Sequence, residues 1–177
     1  MIAPEINTDE QKNRENTFPV IDIKGVYKSF GKDNHVLKGV ELLVNNGENL
    51  VVLGKSGSGK SILIKCLVNL VTADEGEIKV FDTDISTLDN NQLNAVRIMI
   101  GFLFQNAALY DSMSVRQNLE FPLKRHSKNL SDQEVDDTVI ENLESVGLAE
   151  AIDKMPSELS GGMRKRIALA RTLILKP

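Results

Sequence analysis

Cysteine is almost absent from this sequence, since Cys66 is the single thiol among 177 residues. One cysteine cannot form a disulfide within the chain, and a chain of this length fits one domain with a real core, so a small disulfide-stabilised protein is excluded. Cys66 falls among Leu63, Leu67 and Leu70, whose spacing is that of one helical face. Because free cysteine is among the most buried residue types, we expect a buried and unreactive thiol.

The sequence also lacks a surplus of positive charge and long apolar runs. The formal net charge is −4 at pH 7, which argues against a dedicated nucleic-acid-binding protein. No apolar run approaches the ~20 residues that span a bilayer. Residues 1–17 have neither the basic start nor the apolar segment of a signal peptide, so we expect a cytosolic protein whose residues 1–18 form a disordered polar tail.

Short apolar runs predict strands in the first half of the chain. They lie at residues 20–26, 36–44, 49–53, 76–81 and 98–104, with a turn at 45–47. The runs 49–53 and 98–104 lack polar alternation, which is typical of strands buried on both faces of a sheet.

Helical periodicity marks five further segments, most of them in the second half of the chain. Predicted helices cover residues 62–70, 90–97, 114–123, 131–147 and 163–175. In one of them Ser131 and Glu134 have the spacing of a capping box, and an apolar stripe runs through Val135, Val139, Leu143 and Val146. We therefore predict an α/β core that carries a helical insert.

The stretch GKSGSGKS, residues 54–61, satisfies the pattern G-x-x-x-x-G-K-[ST] between a predicted strand and a predicted helix. Its glycines allow successive backbone N–H groups to face inward and form an anion nest, to which the following helix adds its positive end. Lys60 would reach the β- and γ-phosphates of a nucleotide, and the Ser61 hydroxyl would bind Mg²⁺. The expected nucleotide-binding residues are Gly54, Lys55, Ser56, Gly57, Ser58, Gly59, Lys60, Ser61 and Ile62. Kinases, GTPases and motor ATPases share this loop, so the enzyme class stays open.

A second candidate anion site lies at residues 159–163, LSGGM. Ser160 is a good helix N-cap, and Gly161 and Gly162 permit close approach to the backbone at the start of a predicted helix. This stretch resembles the signature of the ABC-type ATPases, where it binds the γ-phosphate of an ATP held by a second subunit. The nucleotide contacts that the resemblance implies here are Leu159, Ser160, Gly161, Gly162 and Met163.

The resemblance covers residues 21–177 and rests on three motifs in the expected order. It implies a P-loop NTPase fold with a β-rich N-terminal part, a core of residues 19–105 and 163–177, and a helical subdomain at about 106–162. It also implies ATP and Mg²⁺, a head-to-tail homodimer and transmembrane permease partners, which would hold the protein at the cytoplasmic face of the cell membrane.

Two further site residues follow from the resemblance. Phe30 occupies the position of the aromatic residue that stacks on adenine, although Tyr27 is a rival and either could belong to the core. Gln105 occupies the position of a glutamine that touches Mg²⁺ and the attacking water, so with Lys60 it is a candidate catalytic residue. From the residues alone, Gln105 would be an ordinary loop amide. Neither His35 nor His126 fits the family's switch histidine, and the run 164–166, RKR, is expected to be a solvated face.

Within the family, residues 104–123 together with 159–171 are most similar to the ATPases of Mla-type lipid-transport systems, which serve MCE-protein machines. That subgroup implies phospholipid as the cargo and an MCE-type lipid-binding protein as a partner. Importers of amino acids or of metal chelates are the competing classes. A soluble ABC ATPase, a P-loop kinase and a non-catalytic nucleotide-binding module are the rival functions.

The sequence departs from the family at LILKP, residues 173–177. In the family this segment leads into the Walker B strand, which closes in Asp-Glu, and then to a dimer loop and a switch histidine. A general base and a strand in the middle of the sheet are thus missing, with backbone groups on either side left unpaired. We expect a fragment of a longer ATPase, and residues 1–177 alone should hydrolyse no ATP above background.

Overall fold

The computed structural model describes residues 19–105, 107–127 and 129–177, so the predicted tail lies outside the described residues. The chain divides into two compact units, one up to Val96 and the other Arg97–Pro177. The expected assignment of residues 163–177 to the core and of 106–162 to a helical subdomain stays a prediction.

The first unit contains a four-stranded antiparallel sheet in the order β2-β1-β3-β4. Its strands are β1 (Pro19–Ser29), β2 (His35–Asn45), β3 (Glu75–Val80) and β4 (Thr83–Asp84). The first three confirm the strands predicted at 20–26, 36–44 and 76–81. The expected turn at 45–47 is also present, closed by the Glu48 N–H, which donates to the Asn45 carbonyl at 3.1 Å. Strand β4 has only two residues, too few for an alternation pattern to reveal.

Two helices complete the elements that begin in the first unit, α1 (Lys60–Leu67) and α2 (Asn90–Met99), with a 3₁₀ turn at Ile85–Thr87. Helix α1 buries Leu63 and Cys66. Cys66 is 1% exposed, which confirms the predicted burial. Burial raises the pKa of the Cys66 thiol, which disfavours the reactive thiolate.

The two strands predicted at 49–53 and 98–104 are wrong. Residues 48–55 are irregular, with Val51 75% and Leu53 87% exposed. Residues 98 and 99 end α2, residues 100–104 are irregular, and Leu103 and Phe104 are exposed. A central parallel strand is stable only when its N–H and C=O groups pair with neighbours on both sides. No described strand pairs with either run, so apolar composition alone does not make them strands.

The second unit is built on three helices, α3 (Val115–His126), α4 (Asp132–Ser145) and α5 (Gly161–Leu173), with 3₁₀ turns at Ala149–Ala151 and Pro156–Glu158. These confirm the helices predicted from periodicity. A capping box starts both α3, through Ser114 and Gln117, and α4, through Ser131 and Glu134 as predicted. The helices share one apolar core, which includes Val115, Leu119, Leu123, Val135, Val139, Leu143, Leu159, Ile167, Ala170 and Ile174. The longest helix of the described part of the chain, α4, has 14 residues, and none of the described helices is a candidate membrane span.

Gly76, at the start of β3, allows the backbone of that strand to lie very close to the backbone of β1. Its φ is +95°, and a Cβ at this position would lie 2.4 Å from the Gly25 carbonyl oxygen. We expect Gly76→Ala to lower the free energy of unfolding by about 3 kcal/mol, measured by urea denaturation, because backbone must move to admit the methyl group. Gly31→Ala is the matched control, since Gly31 also has a positive φ, +79°, but no described atom lies within 4 Å of a Cβ built on it. This substitution should lower the free energy of unfolding by only about 1 kcal/mol. Equal losses in the two variants would contradict the steric explanation.

Candidate functional site

The loop of residues 54–59 leads into α1, and Gly59 is the N-cap of that helix. Gly59 has φ +93°, and a Cβ there would lie 3.0 Å from the Val36 side chain and 3.1 Å from that of Leu37. Any larger residue here would be strained by the positive φ and would crowd the side chains of β2. The first N–H groups of a helix have no partner within the helix and carry partial positive charge, so the loop and α1 together offer backbone donors to an anion.

The ammonium group of Lys60 lies inside the curve of this loop. Its Nζ donates to the carbonyl oxygens of Gly54 at 2.7 Å and Lys55 at 2.8 Å, and to the Ser58 Oγ at 3.4 Å. Neutral oxygens are weaker acceptors for a cation than phosphate oxygens, so a phosphate in the loop would compete well for the same donors. Ser61 is exposed in the first turn of α1. The structure therefore brings the predicted Lys60, Ser61 and loop glycines together at one helix start.

Phe30 directly follows β1, and neither Phe30 nor its rival Tyr27 belongs to the core, since each is 45% exposed. Lys28 Nζ lies 5.5 Å from the centroid of the Phe30 ring and 2.6 Å from Asp74 Oδ1. Asp74 also accepts a hydrogen bond from the Ser29 N–H at 2.6 Å. These two donors, Lys28 first, lower the pKa of the Asp74 carboxyl. Asp74 thus holds the end of β1 through Lys28 and Ser29, next to the exposed ring of Phe30. The role of Phe30 in adenine stacking stays a prediction.

The second predicted anion site is the start of α5. Ser160 is its N-cap, and its Oγ accepts a hydrogen bond from the Met163 N–H at 3.2 Å. Leu159 is buried, whereas Gly161 and Gly162 are exposed, and no atom of the described residues lies within 4 Å of a Cβ built on either. The helix start is therefore open on the glycine side, where a ligand could approach the backbone.

Gln105 is exposed in a turn closed by the Ala107 N–H, which donates to the Phe104 carbonyl at 3.1 Å. It lies in the second unit, whereas the phosphate loop lies in the first. The predicted role of Gln105 in binding Mg²⁺ and water therefore rests on the family resemblance and stays a prediction. Among the described residues no three His, Cys, Asp or Glu side chains cluster as metal ligands.

The remaining polar residues of the sequence analysis lie at the surface. Arg164, Lys165 and Arg166 are exposed as predicted, and Arg166 Nη1 donates to the Val146 carbonyl at 2.9 Å. His126 ends α3 and is exposed.

Two residues that the sequence analysis missed hold the segment after Gln105. Arg171 and Asn118 both hydrogen bond to the backbone of residues 107–110. An asparagine within the apolar stripe of a predicted helix was the available signal for Asn118. No local pattern marks Arg171, because its partners lie more than sixty residues earlier in the chain.

The family model described as "ABC transporter" matches residues 37–177. The chain is 42% identical over 167 residues to "Protein TRIGALACTOSYLDIACYLGLYCEROL 3, chloroplastic" of Arabidopsis thaliana, covering 93% of this chain and 47% of that protein. It is 39% identical over 158 residues to "Methionine import ATP-binding protein MetN" of Clostridium tetani, covering 89% of this chain and 49% of that one. The chain thus spans about half the length of these curated relatives.

A solved structure has a similar fold. The dimeric ATP-binding cassette MJ0796, in a post-hydrolysis state bound to ADP and Pi, superposes with a TM-score of 0.82 at 31% identity. The match covers 89% of this chain and 70% of that one.

Proposed function

Because this chain belongs to the ABC transporter family and has the P-loop NTPase fold of its ATP-binding cassettes, we propose that it is the ATP-binding part of a transporter ATPase. The observation that carries the proposal is the position of the Lys60 ammonium inside a glycine loop at a helix start. That arrangement can exchange two neutral carbonyl acceptors for the oxygens of a triphosphate.

The phosphate loop and the start of α1 fit the phosphates of a nucleotide, since both offer backbone donors to an anion. The backbone N–H groups of residues 54–62 would bind the phosphates, and Phe30 would stack on the adenine. The Ser61 hydroxyl and the Gln105 amide oxygen are hard oxygen ligands of the kind that Mg²⁺ prefers. When bound, Mg²⁺ supplies positive charge that neutralises the phosphate oxygens. Gln105 would in addition orient the attacking water.

We further propose a head-to-tail homodimer in which the start of α5 binds the γ-phosphate held by the phosphate loop of the other copy. The exposed Gly161 and Gly162 support this, because no atom of the described residues lies within 4 Å of a Cβ built on either glycine. The dimeric state of the structurally similar cassette MJ0796 supports it as well.

The remaining partners are proposed from the resemblance and the relatives. Transmembrane permease subunits would hold the dimer at the cytoplasmic face of the membrane. From the resemblance to Mla-type ATPases we propose phospholipid as the cargo and an MCE-type protein as a further partner. One relative is named after a glycolipid, which supports a lipid cargo in general. A methionine-import relative keeps amino acids as the alternative. Mass spectrometry of the native complex, with bound lipid or bound amino acid as the outcome, would decide between them.

The proposed function is tested by sedimentation of the full-length protein that contains this sequence. With a non-hydrolysable ATP analogue and Mg²⁺ we expect a dimer, and without nucleotide a monomer at the same concentration. Tight nucleotide binding without dimer formation would contradict the role of the α5 start. Failure to bind ATP at all would contradict the whole proposal.

A further inference from the structure

We propose that Arg171, on α5, and Asn118, on α3, together hold the backbone of residues 107–110, and we call this pair the clamp. By holding that segment, the clamp positions Gln105, which lies just before it. Helix α5 also carries Ser160 at its start. Arg171 and Asn118 are thereby positioning residues. The inference rests on the proposed function, because that function gives Gln105 and Ser160 their roles at the nucleotide. It concerns contacts within the second unit only.

The clamped segment has an unfavourable backbone conformation. Ala107 has φ +60° and Ala108 has φ +50°, so two successive alanines occupy the left-handed region that L-residues disfavour. Such a conformation persists only when surrounding contacts determine it. Ala107 is also buried, at 7% exposed, so the segment is anchored two residues after Gln105.

Arg171 supplies the first half of the clamp. Its Nη1 donates to the Ala108 carbonyl at 2.8 Å, and its Nη2 lies 3.4 Å from the Ala107 carbonyl. Its guanidinium lies 5.6 Å from the centroid of the Tyr110 ring. The fork of one side chain therefore holds both left-handed residues and contacts the aromatic ring that follows them. Burial lowers the pKa of Arg171, in keeping with a guanidinium withdrawn from water.

Asn118 supplies the second half, from helix α3. It is fully buried, and its Oδ1 accepts a hydrogen bond from the Tyr110 N–H at 2.8 Å. Its Nδ2 lies 3.0–3.1 Å from the carbonyl oxygens of Tyr110, Met113 and Ser114, which gives both of its N–H groups an acceptor. A buried amide with all its groups paired ties the loop to the helix in one arrangement. Tyr110 also packs edge-on against Phe121, at 5.3 Å between ring centroids.

The clamp connects two parts of the proposed site. Arg171 lies in the last turn of α5, eleven residues after the N-cap Ser160, which is about 16 Å along the helix axis. Because a helix moves as a stiff element, a displacement of its start on contact with nucleotide reaches the carbonyls of residues 107 and 108. Gln105 would therefore respond to the nucleotide of the opposite subunit.

The test compares Arg171→Met with Arg166→Met in the full-length protein. Arg166 lies on the same helix and also donates to a backbone carbonyl, that of Val146, so its variant is a matched control. Arg171→Met should raise hydrogen exchange at the amides of residues 107–110 by about tenfold or more. It should lower kcat for ATP by about tenfold while KM stays within about twofold, because ground-state binding is retained. Arg166→Met should do neither.

A second variant keeps the test decisive if Arg171→Met folds poorly. Arg171→Lys retains the charge but loses the two-pronged fork, and its exchange and kcat should lie between those of wild type and Arg171→Met. Unchanged exchange in both Arg171 variants would overturn the clamp, whatever their ATPase activity. Raised exchange with unchanged kcat would overturn the positioning role. A wild-type protein that binds no ATP would instead overturn the proposed function, and the exchange data would still report on the clamp.

Discussion

Lys60→Ala is expected to lower ATP turnover of the full-length protein by about a hundredfold or more. The structure places the Lys60 ammonium inside the phosphate loop, within 2.8 Å of two of its carbonyl oxygens. A charge held where phosphate charge develops stabilises the transition state more than any exposed surface charge can. Turnover is measured as phosphate release, with ATP affinity measured separately.

The matched control for this substitution is Lys65→Ala. Lys65 lies on the same helix, α1, five residues later and outside the phosphate loop, so its loss changes the net charge identically. Lys65→Ala should keep turnover within about twofold of wild type. If both variants lose turnover equally, a general charge or folding effect is responsible, and Lys60 has no special role.

Ser160→Ala is expected to have the second-largest effect, again a loss of turnover of about a hundredfold. In the proposed dimer this hydroxyl faces the γ-phosphate of the other copy. The same hydroxyl also caps α5, since its Oγ accepts the Met163 N–H at 3.2 Å. The substitution should therefore also cost about 1 kcal/mol of unfolding free energy.

Ser131→Ala separates the two effects of that substitution. Ser131 also caps a helix, α4, accepting the Glu134 N–H at 3.3 Å and in addition donating to the Glu134 carboxylate, and no site residue was predicted near it. Thermal unfolding should show a similar destabilisation of about 1 kcal/mol in both variants. Only Ser160→Ala should lose turnover. A comparable loss of turnover in Ser131→Ala would mean that capping, rather than contact with nucleotide, explains the effect.

Much of this protein was predictable from local sequence, for a physical reason. The start of α4 was predicted from Ser131 and Glu134 because a capping box needs only residues three apart, and the structure has both of its hydrogen bonds. The phosphate loop is similar, since Gly54 and Lys60 meet through a turn of consecutive residues. The three longer strands were predicted because their runs are short and rich in branched residues, a local property that favours extended backbone.

The tertiary structure alone decided the features that depend on distant partners. Residues 49–53 and 98–104 are apolar enough for strands, yet a strand also needs a neighbouring strand to pair with, which composition cannot supply. Arg171 is one arginine among several on α5, and its contact with Ala108 joins residues 63 positions apart. Local chemistry determined where helices start and where phosphate can bind. Long-range packing decided which runs become strands and which side chains hold the segment after Gln105. Strand pairing and these hydrogen bonds form between groups that only folding brings together.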